Sequence, residues 1–159
     1  MKIISGGQTG ADQGGLRAAR ALGLPTGGFA AKHWETEDGP QQELLHGFHL
    51  QECSFPGYPV RTFANVEAAH GTVWFGNEDS PGASCTRRAA RRFNKSILWN
   101  PVGPEELLFW IRESRIALPV YILNVAGNRE SKNPGIGKRT EDYLTTALRP
   151  ITIGSHVDI

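Results

Sequence analysis

The sequence lacks most of the features that mark secreted, metal-rich or nucleic-acid-binding proteins. Its 159 residues include only two cysteines, Cys53 and Cys85, with no C-x-x-C pair, so neither a disulfide framework nor a cysteine zinc site is predicted. No apolar run approaches the roughly 18 residues of a membrane helix. The formal net charge is only +1, which gives no electrostatic reason to expect a nucleic acid or a membrane as partner. We therefore expect a cytoplasmic protein, without signal peptide or membrane anchor, that binds a small molecule.

The chain length fits a single domain over residues 1–159. Short apolar segments alternate with segments of helical periodicity, which is typical of an α/β fold whose mainly parallel sheet is sandwiched by helices. The predicted strands are residues 2–5, 24–31, 72–75, 96–99 and 120–125. The predicted helices are residues 11–22, 84–93, 104–115 and 138–148, the last ended by Pro150. Residues 32–59, rich in Gly, Pro and polar side chains, are predicted to form a long functional loop.

The strongest functional signal is a glycine-rich loop after the first strand, Ser5-Gly6-Gly7-Gln8-Thr9-Gly10. Its glycines can adopt positive φ and turn backbone N–H groups toward an anion at the positive end of the next helix. Ser5 stands where a dinucleotide fingerprint has its first glycine, and no Lys-Ser or Lys-Thr follows as in a Walker A loop. A tight structural turn is the alternative to a phosphate site. The predicted ligand contacts here are Gly6, Gly7, Gln8, Thr9 and Gly10.

Two further polar loops follow predicted strands, at residues 77–86 (the second loop) and 124–135 (the third loop). Ligands of open parallel sheets bind outside the carboxyl ends of the strands, so the three loops are expected to share one small phosphate-bearing ligand. Ser84 and Thr86 fit either a helix cap or a second phosphate. Arg129 fits a bidentate phosphate contact or a structural pair with Glu130. The predicted contacts of these loops are Gly82, Ser84, Thr86, Gly127, Arg129, Glu130, Ser131 and Gly135.

The basic segment after the second loop carries Arg87, Arg88, Arg91 and Arg92. A charge run of this kind is most often a solvated helix face. Arg87 or Arg88 is nevertheless near enough to the second loop to neutralise an anion bound there.

Three segments together carry a family resemblance: ISGGQTGAD at 4–12, EDGP at 37–40 and LNVAGNRESKNPGI at 123–136. They resemble the molybdenum cofactor carrier family, a circularly permuted branch of the Rossmann-like superfamily that includes cytokinin-activating phosphoribohydrolases, the lysine decarboxylase-like proteins. The resemblance implies a Rossmann-like domain that binds molybdenum cofactor or a nucleotide derivative, and a homodimer. It also implies that Asp12 and Asp38 belong to the site. Because a carboxylate repels phosphate, we expect Asp12 to face a sugar hydroxyl, a ring nitrogen or a bridging Mg²⁺.

One departure from the related phosphoribohydrolases favours binding over turnover. Their Pro-Gly-Gly-x-Gly-Thr-x-Glu-Glu segment corresponds to residues 81–89, which keep the proline, first glycine and threonine but lose both acidic positions. Such a glutamate would stabilise positive charge developing on the ribose, which an arginine cannot do. The alternative function is a hydrolase that cleaves an N-glycosidic or phosphoester bond, its catalytic carboxylate undecided among Asp12, Glu37, Asp38 and Glu130.

Three other interpretations rest on weaker patterns. An interaction module would present an aromatic surface made of Trp34, Phe48, Phe55 and Tyr58, although such residues more often close a core. His46 and His49 could share a helix face, but no third metal ligand is marked, and no metal site is predicted. Cys85 lies at a predicted helix start without a visible base to make it a nucleophile.

Overall fold

Parallel strand pairing organises the chain, which a computed structural model describes over residues 1–153. The strands are β1 (Lys2–Ser5), β2 (Thr26–Ala30), β3 (Glu35–Thr36), β4 (Gly39–Pro40), β5 (Leu50–Glu52), β6 (Gly71–Phe75), β7 (Ser96–Trp99) and β8 (Ile122–Gly127). Six of them form one sheet in the order β5-β2-β1-β8-β6-β7, with every neighbouring pair parallel. The strands β3 and β4 form a separate antiparallel hairpin. Residues 154–159 of the predicted domain lie outside the described residues.

Helices cover both faces of the sheet. They are α1 (Ala11–Ala21), α2 (Gln42–Gly47), α3 (Tyr58–Ala68), α4 (Pro81–Phe93), α5 (Pro104–Glu113) and α6 (Ile136–Ile153). Helices α1, α5 and α6 enclose the larger core with side chains from the central strands, including the fully buried Ile3, Leu123 and Val125. Helices α3 and α4 pack together over the other face. No helix within residues 1–153 is both long and apolar enough to cross a membrane.

The predicted α/β fold with a parallel sheet between helices is confirmed, but two predictions about its elements are wrong. Residues 32–59 are not one long loop: they contain the β3–β4 hairpin, α2, the edge strand β5 and the start of α3. Pro150 does not end the last helix, which runs to Ile153 with the proline inside it. A proline near a helix end removes a single backbone hydrogen bond of the final turns, so its cost there is smaller than in the middle of a helix.

The strand order creates a crevice at the centre of the sheet. From β1 the chain moves outward through β2 to β5, whereas β6 leads outward through β7 toward the opposite edge. The strand β8 lies between β1 and β6. The loops that follow β1, β6 and β8 therefore meet at the reversal point, which is where open parallel sheets bind ligands.

Candidate functional site

A cavity of about 770 Å³, which we call the outer cavity, opens at the carboxyl ends of β1, β6 and β8. The loops after these strands and the first turns of α3 and α4 border it, with wall residues Gln8, Tyr58, Arg61, Ser80, Gly82 and Arg129. A smaller space of about 50 Å³, the inner recess, adjoins it and shares Arg61 and Gly82 as walls. The inner recess is also lined by Gly6, Asp12, Trp74 and Asn124. The structure thus brings the three predicted loops around one site.

Three backbone N–H groups of the glycine-rich loop donate to side chains of the protein itself. The Gly7 N–H donates to Ser5 Oγ at 3.2 Å, and the Gln8 N–H donates to Asp12 Oδ2 at 3.1 Å. The Thr9 N–H donates to the side-chain oxygen of Gln8 at 3.0 Å. These three donors hold the loop in shape and orient Gln8 and Asp12. These three N–H groups are therefore not free to bind an anion.

The three glycines of this loop have different neighbours. Gly7 has φ 76°, and a side chain there would lie 2.8 Å from a methyl group of Leu45. Gly10 has φ 81°, and a side chain there would collide with the backbone of the third loop. Gly6 faces the site, because a β-carbon there would lie 2.6 Å from Arg61 Nε. Gly7 and Gly10 therefore allow close packing against Leu45 and the third loop, whereas the missing side chain of Gly6 leaves room at the inner recess.

Glu37 ties the first and third loops together. Its carboxylate accepts hydrogen bonds from the hydroxyls of Thr9 and Ser131 and from the Ser131 N–H at 3.1 Å. Its own N–H donates to the Gln8 side-chain oxygen at 2.9 Å. Desolvation alone would raise the pKa of Glu37, but the bonds from Ser131 and Thr9 bring it below its ordinary value. The Thr9 and Ser131 hydroxyls, predicted as ligand contacts, are engaged by this carboxylate.

Glu130 occupies the amino end of α6. Its carboxylate accepts hydrogen bonds from the N–H groups of Gly135 at 2.5 Å and Gly137 at 3.0 Å. This places the protein's own negative charge at the positive end of the helix dipole. The alternative pairing of Glu130 with Arg129 is not formed, since the ion pairs within residues 1–153 are Arg17–Glu141 and Lys138–Asp142.

Positive charge dominates the wall of the outer cavity. Its cationic residues are Arg61, Arg88, Arg129 and Lys132, against the single carboxylate of Asp79. Within residues 1–153, none of these four cations forms an ion pair. Arg61 and Arg129 both stack over the Tyr58 ring, with guanidinium carbons 4.9 and 5.3 Å from its centroid. An aromatic ring thus holds two guanidinium groups on the wall of the cavity, neither of them ion-paired within residues 1–153.

Ser80 caps the helix that enters the cavity, so α4 begins at Pro81, before the predicted start at Ser84. The Ser80 Oγ accepts from the Ala83 N–H at 3.2 Å and donates to the Asn77 carbonyl at 2.9 Å. The first turn of a helix leaves N–H groups without intrahelical partners. Because Gly82 in that turn lines the cavity, α4 directs its positive end there.

Replacing Ser80 by alanine is expected to lower the free energy of unfolding by about 1 kcal/mol, the usual cost of losing a helix N-cap. Urea unfolding followed by circular dichroism measures this. Ser84→Ala is the matched control, because Ser84 is exposed in the same helix. Equal stability of the two variants would contradict the capping role of Ser80.

Eight predicted contacts line neither the outer cavity nor the inner recess, and one borders the recess differently than expected; the eight are Gly7, Thr9, Gly10, Asp38, Ser84, Glu130, Ser131 and Gly135. Asp38 is exposed in the β3–β4 turn and Ser84 is exposed on α4; neither lines the outer cavity or the inner recess. The Thr86 hydroxyl donates to the Gly82 carbonyl at 2.9 Å, so it supports the wall of the inner recess.

Asp12 is a buried carboxyl group beside the inner recess, with 5% of its surface exposed. Burial raises its pKa to about 6, while the charges of Arg61 and Arg129 and the Gln8 N–H act in the opposite direction. A carboxyl group with such a pKa changes protonation close to neutral pH. Groups of this kind concentrate at functional sites.

Buried polar atoms without a partner also concentrate here. Within residues 1–153 there are four such side-chain atoms, and three belong to residues that line the outer cavity or the inner recess: Gln8 Nε2, Trp74 Nε1 and Asn124 Oδ1. Leaving a buried polar atom unpaired costs about 1–3 kcal/mol. Three such costs around one site are explained if a ligand supplies the missing partners.

Comparison with known proteins gives the family of the chain. Residues 3–148 match the model of the circularly permutated YpsA SLOG family. The chain belongs to this family. A crystal structure from Syntrophus aciditrophicus SB, named "Putative molybdenum carrier protein", is 33% identical with a TM-score of 0.78, covering 92% of this chain and 94% of that chain. No curated protein matches the chain. The predicted family resemblance is confirmed, and it supports a ligand-binding function.

Several site residues of this SLOG family member were missed by sequence reasoning. Tyr58 and Arg61 lie on α3, a helix for which no pattern was recognised. Trp74 and Asn124 lie within strands, where Trp74 resembles an ordinary core residue. One available signal was Asn124, a polar residue inside the apolar run of β8, because buried polar residues are the informative exceptions in a core.

The weaker interpretations find little support in the structure. Phe48 is buried and Trp34 packs against it, whereas Phe55 is exposed and Tyr58 lines the outer cavity, so the four aromatic residues form no single surface. The ring of His46 contacts Trp34 edge-on at 6.3 Å. Residues 1–153 contain no cluster of three His, Cys, Asp or Glu side chains that could hold a metal ion.

Proposed function

We propose that this chain binds a small phosphate-bearing ligand, of the nucleotide or pterin-cofactor class, in the outer cavity. One observation carries the proposal: four cationic side chains without ion-pair partners line this cavity with one carboxylate among them. An unpaired cation in a concave site attracts anions from solution. The volume of about 770 Å³ is within the usual range for small-molecule sites, roughly 300–1,000 Å³.

The phosphate contact rests on Arg129 and the first turn of α4. A guanidinium group offers a planar fork that matches two phosphate oxygens, and Tyr58 already orients this one. The Gly82 N–H adds one donor at a helix amino end, since Pro81 has no N–H and those of Ala83 and Ser84 donate to Ser80. The unpaired Gln8 Nε2 is a further donor on the same wall. In this proposal the glycine-rich loop shapes the site and the other groups bind the charge.

Molybdenum cofactor is one candidate ligand, because the crystal structure similar to this chain is named a molybdenum carrier. The cationic side chains of the cavity wall favour an anionic ligand, whether or not that ligand carries molybdenum. A nucleotide derivative satisfies them equally well.

Substitution of Arg129 tests the proposal. Arg129→Gln is expected to weaken binding of AMP and of inorganic phosphate about 10–100-fold, because charge-assisted hydrogen bonds are worth about 1.5–3 kcal/mol. Titration calorimetry measures the dissociation constants, with molybdenum cofactor and further nucleotides in a thermal-shift screen alongside. The control is Arg92→Gln, an exposed arginine of α4 away from the cavity. Failure of the wild type to bind any probe, or equal affinities for both variants, would refute the proposal.

A second candidate function, hydrolysis of a nucleotide, is favoured by Asp12. A buried carboxyl group with a pKa near 6 suits general acid or base catalysis. Incubation with nucleoside monophosphates and dinucleotides, followed by chromatography, tests for released base or phosphate. An activity that Asp12→Asn abolishes would support the enzyme; absence of product from every substrate would leave binding as the function.

A further inference from the structure

We propose that the inner recess binds hydroxyl groups of a phosphorylated sugar, with Trp74 and Asn124 as the residues that determine specificity. This rests on the proposed function, since it assumes an anion in the adjoining outer cavity. The starting observation is that both side chains are almost completely buried and line the same recess, yet Trp74 Nε1 and Asn124 Oδ1 have no hydrogen-bond partner within residues 1–153.

The chemistry of these two atoms is fixed by their surroundings. The indole N–H of Trp74 can only donate. Asn124 Nδ2 donates to Thr72 Oγ1 at 3.2 Å, which orients the amide and leaves Oδ1 as the acceptor. The recess therefore presents one donor and one acceptor that the fold itself does not satisfy.

Asp12 and Arg61 extend this pair in the same recess. The carboxylate accepts one hydrogen bond from the Gln8 N–H and keeps lone pairs for others. The Arg61 guanidinium makes a long contact of 3.5 Å with the Gly6 carbonyl and has further N–H groups to offer. The recess therefore offers two acceptors, the Asp12 carboxylate and Asn124 Oδ1, and two donors, the Arg61 guanidinium and Trp74 Nε1. Each hydroxyl group donates one hydrogen bond and accepts others, so two neighbouring hydroxyls match this set.

The size and position of the recess select among ligand parts. About 50 Å³ accommodates a few water-sized groups, whereas a fused heterocycle needs considerably more. The recess and the outer cavity share five residues, Arg61, Thr62, Trp74, Gly82 and Gly127. A group that enters it is therefore close to the bound phosphate. In a phosphorylated sugar, the hydroxyl-bearing carbons are a few bonds from the phosphorus, and a base is farther away.

The test compares ribose 5-phosphate with its 2-deoxy and 3-deoxy analogues and with inorganic phosphate, by calorimetry on the full chain. The wild type is expected to bind ribose 5-phosphate about tenfold more tightly than at least one deoxy analogue, because a site built to bind a hydroxyl rejects ligands that lack it. Trp74→Phe removes the donor together with the five-membered ring of the indole. Because Trp74 borders both spaces, the variant is expected to weaken ribose 5-phosphate binding about tenfold and inorganic phosphate binding by a smaller factor.

Trp99→Phe is the matched control. Trp99 contacts Trp74 at a ring distance of 5.8 Å but lines neither the recess nor the outer cavity. The Trp99→Phe variant should bind every probe with the same affinity as the wild type.

The outcomes separate the two proposals. If inorganic phosphate binds but the wild type does not distinguish ribose 5-phosphate from either deoxy analogue, the recess proposal fails and the anion site stands. If Trp74→Phe weakens all probes equally, the recess proposal also fails. If no phosphate-bearing probe binds the wild type, the proposed function fails and the recess proposal with it. The wild-type comparison needs no variant, so a folding defect in Trp74→Phe would not prevent a decision.

Discussion

Replacing Asp12 by asparagine is expected to raise the free energy of unfolding at pH 7.5 by about 3 kcal/mol. The pKa of Asp12 in the folded protein is about 6, against an ordinary value of 3.8. Between these values the folded state retains a proton that the unfolded state has lost, so stability falls as pH rises toward 6 and the penalty persists above it. Asparagine carries no charge to desolvate, and its carbonyl oxygen can still accept from the Gln8 N–H.

The measurement is the difference in unfolding free energy between Asp12→Asn and the wild type from pH 4 to pH 8. The difference should grow from near zero at pH 4 to its full value above pH 6, with a melting temperature about 6–12 °C higher at pH 7.5. The difference is the appropriate quantity because Glu37, whose pKa is lowered, contributes to wild-type stability with the opposite pH dependence. Asp38→Asn, at an exposed position, is the control. A destabilised Asp12→Asn at pH 7.5 would show that its charge is compensated.

Gly10→Ala is expected to destabilise the chain by about 3–5 kcal/mol, the range of severe substitutions. The residue has φ 81°, and the added methyl group would meet the carbonyl oxygen of Asn128 and the N–H of Glu130, which are backbone atoms that cannot turn away. The first and third loops would have to separate, and the Glu37 bonds between them would be lost.

Gly23→Ala separates the two causes of that loss. Gly23 has a similar φ of 70°, but a β-carbon there has nothing within 4 Å. It should lose only about 1–2 kcal/mol from backbone strain. Chemical denaturation of both variants provides the comparison. Equal losses would show that conformation, and not contact between the loops, determines the requirement for glycine at position 10.

Local patterns were sufficient to predict five of the six strands of the sheet and four of the six helices. Strand β1 is cut short by glycines and α1 ends before Gly23, which are signals contained in a few neighbouring residues. Residues 32–59 were misread because α2 and β5 are too short to show a period, and their stability comes from packing of Leu45, Phe48 and Leu50 into one cluster. Tertiary contacts of this kind override local propensity.

The site was predicted in its location more than in its chemistry. The positive φ of Gly7 and Gly10 agrees with the expected loop conformation. The destination of the loop N–H groups could not be predicted, because it depends on where the side chains of Asp12 and Gln8 turn. Arg61 escaped notice because it reaches the site from α3, which precedes β6 in the chain and so belongs to none of the loops that follow the central strands.

The position of β8 has a consequence for how the chain folds. Its residues, 122–127, pair with β1 on one side and β6 on the other, so the centre of the sheet joins the two ends of the sequence. Closing so long a loop costs conformational entropy before the contacts that stabilise the sheet have formed. Folds rich in such distant pairings therefore fold slowly. During synthesis, β1 and β6 must wait for the same late segment. The ligand site, which lies where these three strands end, is therefore expected to form only in the last step of folding.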